Sequence, residues 1–253
     1  MARVVQSTTW NYICGESAIV DSGAVSKWKE ELSERLQLFK PHDVFNLDET
    51  ALFYRCLPDK TLAIKGETCC GGKLSKDRLT VLVGANMVGS EKFPLLVIGK
   101  YQNPRCFKNI RSLPVCYTSN KRAWMTSDIF EEYMRNLDKK FANEDRKVLM
   151  FIDNCPAHPQ SLPSSLKNIR LLFFPPNCTC VLQPCDQGII RCLKQYYRRY
   201  LLERQLTYMD NGSVPQTVSV LDSLFLLRRA WNNISAITIA NCFAHAGFIH
   251  QPA

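Results

Sequence analysis

The sequence has no pair of cysteines separated by two residues, although it contains 12 cysteines among 253 residues. The closest pair, Cys69 and Cys70, is adjacent, whereas zinc-finger ligands are typically two to four residues apart. Cys242, His245 and His250 form a superficially similar group, but no fourth partner follows at finger spacing. The pattern argues against structural zinc and predicts buried thiols that behave as small hydrophobic side chains.

Long apolar runs are also missing. No window approaches the roughly 18 apolar residues that a membrane-spanning helix needs. The opening stretch MARVVQSTTWNYICGES has no apolar segment of the kind found in secretory signals. We therefore expect no membrane partner, and we expect the thiols to stay reduced in the cytosol or nucleus.

Acidic residues are scarce relative to basic ones. The chain has 23 Asp and Glu against 32 Lys and Arg, which gives a formal net charge of +9. Such a surplus favours an anionic partner, most often nucleic acid, although many soluble domains are basic without binding one. Hydrophobic content of 46% predicts a packed core.

Hydrophobic periodicity predicts an α/β domain in which helices enclose mixed strands. A helix over 26–39 is expected to start at a Ser26 cap, and an irregular region is expected over 101–126. The predicted strands are 44–47, 79–85, 93–98, 148–152 and 168–174. Further helices are predicted over 127–141, with Ser127 or Asp128 as the cap, after Gly188, and twice beyond residue 213, the last one closing at Gly247.

Three acids stand at the ends of apolar elements. Asp153 follows the run VLMFI directly, Asp48 follows DVFNL, and Asp186 lies between the last strand and the long helix. Functional groups of open α/β sheets gather beyond strand ends, so these carboxylates are expected to converge. Clustered carboxylates repel each other unless a cation neutralises them, and an all-oxygen set suits Mg²⁺ or Mn²⁺.

Each acid also has a purely structural interpretation. Asp153 could open an Asx-turn before Pro156, Asp186 could cap the following helix, and Asp48 could be a turn residue. Spacing alone leaves these alternatives open.

Several motifs occur in a fixed order with characteristic gaps: FNLDETALF, KLSKDRLTVLVGAN, PLLVIGK, NPRCFKN, KRAWMTSDIF, IDNCPAHP, LFFPPNCTCVLQPCDQGII and YYRRYL. Over roughly residues 10–250 they resemble the Tigger/pogo family of DDE transposases. The resemblance implies an RNase H-like mixed sheet flanked by helices, with a helical C-terminal extension. It implies that Asp48, Asp153 and Asp186 hold two Mg²⁺ or Mn²⁺ ions for DNA strand cleavage and transfer.

The corresponding domain division is an N-terminal helical linker at 1–40, the DDE core at 41–206, and the extension at 207–253. Supporting roles are predicted for His158, which could contact substrate or only pack its loop, and for Gln183 and Gln187, which flank the third acid. DNA backbone contacts are predicted for a set of basic residues, for which an ordinary solvated surface is the alternative. They are Lys73, Lys76, Arg78, Arg105, Lys108, Arg191, Lys194, Arg198 and Arg199, with Arg111 as a similar candidate.

Two functions follow from this interpretation. The first is a transposase-derived nuclear DNA-binding protein with a metal-dependent endonuclease and strand-transfer core. The second is a domesticated, non-catalytic DNA-binding or chromatin-associated protein that retains the fold; a generic Mg²⁺ phosphohydrolase is a weaker third. DNA is the expected partner, and a homodimer is left open. Sequence-reading helix-turn-helix modules are expected in a full-length relative and not in this chain.

Overall fold

Six strands form one mixed sheet in the computed structural model, which describes residues 22–56, 77–213 and 216–249. Across the sheet the strands are ordered β4-β3-β2-β1-β5-β6. Their bounds are β1 Val44–Phe53, β2 Arg78–Asn86, β3 Leu96–Gly99, β4 Cys116–Ser119, β5 Val148–Ile152 and β6 Ile169–Phe173.

Six α-helices accompany the sheet in the part of the chain that the structure describes. They are α1 Ser22–Leu36, α2 Ser127–Asn143, α3 Thr179–Leu182, α4 Ile190–Asp210, α5 Val220–Asn232 and α6 Ala236–His245. A π-helical turn, Cys185–Ile189, leads directly into α4. No helix within the described ranges is both long enough and apolar enough to cross a membrane.

The central strand β1 joins two differently organised halves of the sheet. It pairs antiparallel with β2, which pairs antiparallel with β3 as the predicted hairpin. On its other side β1 runs parallel to β5, and β5 runs parallel to β6. The parallel half therefore presents its carboxyl strand ends at one edge, where side chains from different strands can meet.

Each face of the sheet is covered by its own hydrophobic cluster. On what we call the α4 face, α1 and α4 to α6 pack against Val44 and Phe151. On the α2 face, Phe130 and Phe141 of α2 pack against Phe45 and its neighbours. Because successive strand residues point to opposite faces, consecutive residues of β1 contribute to different clusters.

The α1 helix contributes to the core through Trp28. Its indole ring lies 5.9 Å from the ring of Phe151, 5.3 Å from Phe174 and 5.9 Å from Phe248. The segments on both sides of the predicted core thus share one hydrophobic cluster with it. The division of the chain at residues 40 and 206 stays a prediction.

The largest departure from the sequence prediction concerns β1. The strand is predicted to end before Asp48, but it continues through Asp48 and Glu49 to Phe53. Every residue from Phe45 to Phe53 pairs with β2, so the backbone remains hydrogen-bonded while the Asp48 side chain extends from the sheet. Asp48 is therefore a mid-strand acid and does not end the strand.

Smaller corrections concern caps and a short strand. The α1 helix begins at Ser22, four residues before the predicted Ser26 cap. The α2 helix is capped by Thr126, whose hydroxyl accepts from the Ile129 N–H. The region predicted to be irregular contains β4, which pairs parallel with β3 at the sheet edge.

Candidate metal and nucleic-acid site

The parallel pairing of β1 and β5 aligns two of the predicted acids. Asn46 of β1 is in register with Phe151 of β5. Asp48 and Asp153 each lie two residues farther along their strands' direction, so they reach the same level of the sheet. Asp186 belongs to the π-helical turn, which contacts β1 from the α4 face. The structure thus brings all three aspartates to one region.

A buried amide fixes the π-helical turn to the sheet. The Asn46 side chain is fully buried, and its Oδ1 accepts a 2.8 Å hydrogen bond from the Cys185 N–H. Its Nδ2 donates to the Phe151 carbonyl at 2.9 Å. One side chain therefore joins β1, β5 and the turn that carries Asp186, which sets the relative position of the three acids.

The three carboxylates influence one another electrostatically. Asp48 is only 7% exposed, and burial raises its pKa well above the ordinary value. Nearby Asp186, Glu49 and Asp153 raise this pKa further, whereas a hydrogen bond from Gln183 lowers it. A buried carboxyl group among like charges favours either a proton or a cation.

Gln183, for which a supporting role is predicted, contacts two of these acids. Its amide bonds to Asp48, and Nε2 donates to Asp186 Oδ2 at 3.3 Å. The residue is 1% exposed, and its Oε1 has no hydrogen-bond partner among the described residues. A free carbonyl oxygen beside two carboxylates is a donor set that a hard divalent cation fits.

His158 is a buried bridge between two carboxylates and does not face solvent. Its Nδ1 lies 2.7 Å from Asp153 Oδ1, and its Nε2 lies 3.0 Å from Glu49 Oε1. Burial lowers the pKa of His158, but the bonds to Asp153, Cys155 and Glu49 outweigh burial and raise it to about 12. The imidazolium therefore holds Asp153 in place. Only 3% of the residue is exposed, which favours the predicted packing role over substrate contact.

Glu49 is a site residue that the sequence prediction did not select. It follows Asp48 in β1 and so points to the α2 face, where His158 lies. The available signal was the two-residue period of a strand that continues past Asp48. Because the predicted strand ended at residue 47, Glu49 was not placed on it.

Gln187 joins two helices of the α4 face. Its Nε2 donates to the Cys180 carbonyl at 2.8 Å, and its Oε1 accepts from His245 Nδ1 at 2.8 Å. These two bonds tie α6 to α3, and the predicted role of Gln187 beside Asp186 stays a prediction.

A pocket of about 380 Å³ lies beside the third acid, and basic residues of α4 line it together with Asp186. These are Arg191, Lys194 and Arg198, all of them predicted DNA contacts. Burial, and then the proximity of Arg198, lower the pKa of Lys194, whereas Asp48 and Asp186 raise it. The cationic α4 surface therefore adjoins the acidic centre.

Arg199, also a predicted contact, is exposed and does not line this pocket. Its Nε instead lies 2.8 Å from Glu203 Oε1, one helical turn away. Arg198 therefore lies beside Asp186, whereas Arg199 does not line the pocket. Substitutions at these two neighbouring residues can be compared directly.

The remaining predicted DNA contacts lie farther from the acids. Arg78 and Arg105 line a larger pocket of about 1000 Å³ at the far end of β1. None of the three predicted aspartates lines this pocket. Lys108 is exposed at the end of a 3₁₀ turn. Lys73 and Lys76 lie outside the described residues.

Comparison with known proteins supports the fold assignment. With 12% sequence identity, the Mos1 strand transfer complex aligns at a TM-score of 0.56, covering 98% of this chain and 64% of that one. The mariner Mos1 paired end complex with Mg aligns at a TM-score of 0.50 with 13% identity, covering 100% and 69%. At this identity the likeness establishes the fold alone, and it confirms the predicted RNase H-like α/β architecture.

Relatives matched by sequence are more similar to this chain than these solved structures are. "Tigger transposable element-derived protein 4" of Mus musculus is 47% identical over 210 residues, which cover 83% of this chain and 40% of that protein. "Major centromere autoantigen B" of Homo sapiens is 32% identical over 236 residues, which cover 89% and 37%. The chain thus spans less than half of the length of these relatives.

Residues 76–243 match the family described as DDE superfamily endonuclease. This range contains Asp153 and Asp186, and the sheet adds Asp48 to them from the preceding strand. Because the match covers well over half of the 253 residues and agrees with both the fold and the Tigger-type relatives, the chain belongs to the DDE superfamily endonuclease family.

Proposed function

We propose that this chain is the core of a transposase-derived nuclear DNA-binding protein, and that Asp48, Asp153 and Asp186 form its metal-dependent endonuclease and strand-transfer centre. One observation carries the proposal. The buried Asp48 lies among other carboxylates that raise its pKa, an arrangement whose natural complement is a bound cation.

The donor set fits Mg²⁺ or Mn²⁺. Carboxylate and amide oxygens are the ligands that these hard ions prefer, and Asp48, Asp153, Asp186 and Gln183 supply them at one place. When bound, two such ions would activate the attacking water or hydroxyl and stabilise the leaving oxygen of a phosphodiester. The Mos1 paired end complex contains Mg in one solved form and Mn in another.

The surrounding side chains keep the carboxylates in position. The His158 imidazolium forms an ion pair with the Asp153 carboxylate from the α2 face and a hydrogen bond with the Asp153 backbone carbonyl. Gln183 donates to Asp186 from the α4 face, and Asn46 anchors the turn that carries Asp186. Three independent contacts thus hold the acids before any ligand arrives, and pre-positioned ligands bind metal more tightly.

The cationic surface of α4 supports DNA as the partner. Arg191, Lys194 and Arg198 surround the pocket that Asp186 enters, so a phosphate backbone held there would lie next to the carboxylates. Such contacts provide affinity without sequence information. The Mos1 structure is a strand transfer complex, and one relative is a centromere autoantigen; both support a nuclear, DNA-associated role.

A second candidate is a domesticated protein that binds DNA without cleaving it. The pocket of about 1000 Å³ favours it, because Arg55, Arg78 and Arg105 line that pocket away from the acids. DNA retention through such a surface would not need an intact carboxylate centre.

A plasmid nicking assay separates the two functions. Supercoiled plasmid is incubated with the wild-type chain and with Asp186→Asn across several Mg²⁺ and Mn²⁺ concentrations. Asp210→Asn, at an exposed acid at the far end of α4, is the matched control. Nicking by wild type and by the control, but not by Asp186→Asn, would support the catalytic function. Retention of plasmid without nicking by any variant would favour the domesticated one.

A further inference from the structure

A second group of metal-ligating side chains lies on the other side of Asp153. One ligand atom from each of Glu49, Asp153, Cys155 and His158 lies within 4.8 Å of the others. Three of them belong to a single turn, which the His158 N–H closes by donating to the Cys155 carbonyl at 3.0 Å. Cys155 is a free, half-buried thiol.

The orientation of His158 matches that of a metal ligand. Its Nε2 lies 3.0 Å from Glu49 Oε1, and its Nδ1 faces Asp153 Oδ1 at 2.7 Å. The Phe130 ring, 4.1 Å from the imidazole ring between centroids, restricts its rotation. Ligating histidines commonly donate their second N–H to a carboxylate, which fixes the tautomer. Here Glu49 provides that carboxylate and leaves Nδ1 directed at Asp153 and Cys155.

We propose that Asp153 Oδ1, Cys155 Sγ and His158 Nδ1 form a site for a thiophilic divalent ion such as Zn²⁺, with Glu49 orienting the imidazole. Sulfur, nitrogen and one oxygen are ligands that zinc prefers, whereas Mg²⁺ and Mn²⁺ prefer oxygen alone. Binding releases two protons to solvent, one from the Cys155 thiol and one from His158 Nδ1. A water completes a four-coordinate site.

Asp153 is then shared by two sites of different chemistry. On one side it interacts electrostatically with Asp48, and on the other it lies beside Cys155 and His158. An ion on the thiol side draws the carboxylate away from the other acids, so zinc lowers the affinity of the aspartate cluster for Mn²⁺. Only this consequence rests on the proposed function; the thiol site exists without it.

Cobalt titration tests the site directly, since Co²⁺ replaces Zn²⁺ and a cobalt–thiolate bond absorbs in the near ultraviolet. The wild-type chain should develop this charge-transfer band and lose it when Zn²⁺ is added. Cys155→Ser should abolish the band. Cys106→Ser, whose thiol lies in the larger pocket away from the acids, should keep it. Circular dichroism establishes that each variant is folded.

Two further variants separate this site from the aspartate cluster. Asp48→Asn should keep the cobalt–thiolate band even if it abolishes Mn²⁺ binding and plasmid nicking. Glu49→Gln should keep the band but weaken Co²⁺ affinity by about 10- to 100-fold, as for other outer-shell partners. Absence of a thiolate band in the wild type, or its survival in Cys155→Ser, would overturn the site. Unchanged Mn²⁺ affinity in the presence of bound Zn²⁺ would overturn the sharing of Asp153.

Discussion

Asp48 and Glu49 are consecutive in β1, yet their carboxylates belong to networks on opposite faces of the sheet. Asp48 faces Asp186 and Gln183, whereas Glu49 lies 3.0 Å from His158 Nε2. Asp153, at the end of the neighbouring strand, interacts with both. Asp48 therefore lies in a cluster of like charges, whereas Glu49 faces the His158 imidazolium on the other side of the sheet.

The like charges around Asp48 predict that Asp48→Asn stabilises the metal-free protein. Because the folded-state pKa of Asp48 is raised, the wild type loses stability as pH rises from about 4 toward that value. Asp48→Asn lacks this loss, and asparagine can still accept from Gln183. In EDTA at pH 7, urea unfolding should give the variant a free energy of unfolding higher by about 1–2 kcal/mol. A less stable variant would contradict the electrostatic account.

The stability contributed by the His158 imidazolium should depend on pH through the ion pairs that His158 forms with Asp153 and Glu49. The pKa of His158 is raised from 6.5 to about 12, so its stabilising contribution is complete below pH 6.5 and is lost as pH rises toward 12. Near pH 6.5, His158→Gln should lower the free energy of unfolding by about 3 kcal/mol, the cost of breaking a buried pair. The difference from wild type should shrink steadily at pH 8 and 9.5. A constant difference would argue against a charged His158, and His42→Gln, at an exposed histidine, serves as control.

The amide of Asn46 predicts a coupled loss of stability and metal affinity. Asn46→Ala leaves the Cys185 N–H and the Phe151 carbonyl without their partner. The expected cost is about 1–3 kcal/mol of unfolding free energy. Because the turn that carries Asp186 is no longer fixed, Mn²⁺ affinity should also fall by about tenfold or more. If calorimetry finds unchanged Mn²⁺ affinity in the destabilised variant, Asn46 does not position Asp186.

The α4 surface predicts different effects at two neighbouring arginines. Arg198 lines the pocket beside Asp186, whereas Arg199 pairs with Glu203 on the exposed side. Arg198→Ala should weaken duplex DNA binding and reduce the slope of log affinity against log salt by about 0.9. Arg199→Ala should change the slope less. Fluorescence anisotropy over a range of salt concentrations measures both, and equal slopes for the two variants would contradict this placement.

Local sequence patterns were sufficient to predict the helices and strands that have a clear hydrophobic periodicity. The unbroken run Val148–Ile152 is β5, and the apolar face of 127–141 lies within α2. These elements are determined by hydrophobic periodicity within one segment. The short edge strand β4 was missed, because it exists only through pairing with β3 across an intervening loop.

The site shows the same division between local and long-range information. The three aspartates were selected as candidates through the ordered motifs and the family resemblance, because spacing alone left structural alternatives open. The contact of His158 with Glu49 joins residues 109 positions apart, and that of Asn46 with Cys185 joins residues 139 positions apart. No local pattern encodes such contacts, and they depend on the sheet being assembled.

The central claim is that Asp48, Asp153 and Asp186 bind divalent metal together. Its most direct test is calorimetric titration of Mn²⁺ into the wild-type chain and into Asp48→Asn, Asp153→Asn and Asp186→Asn, with Asp210→Asn as control. We predict measurable binding to the wild type and the control, and a loss of at least about tenfold, or 1.4 kcal/mol, in each of the three variants. A wild type that binds no Mn²⁺ at millimolar concentrations, or three variants that bind it as the wild type does, would contradict the claim.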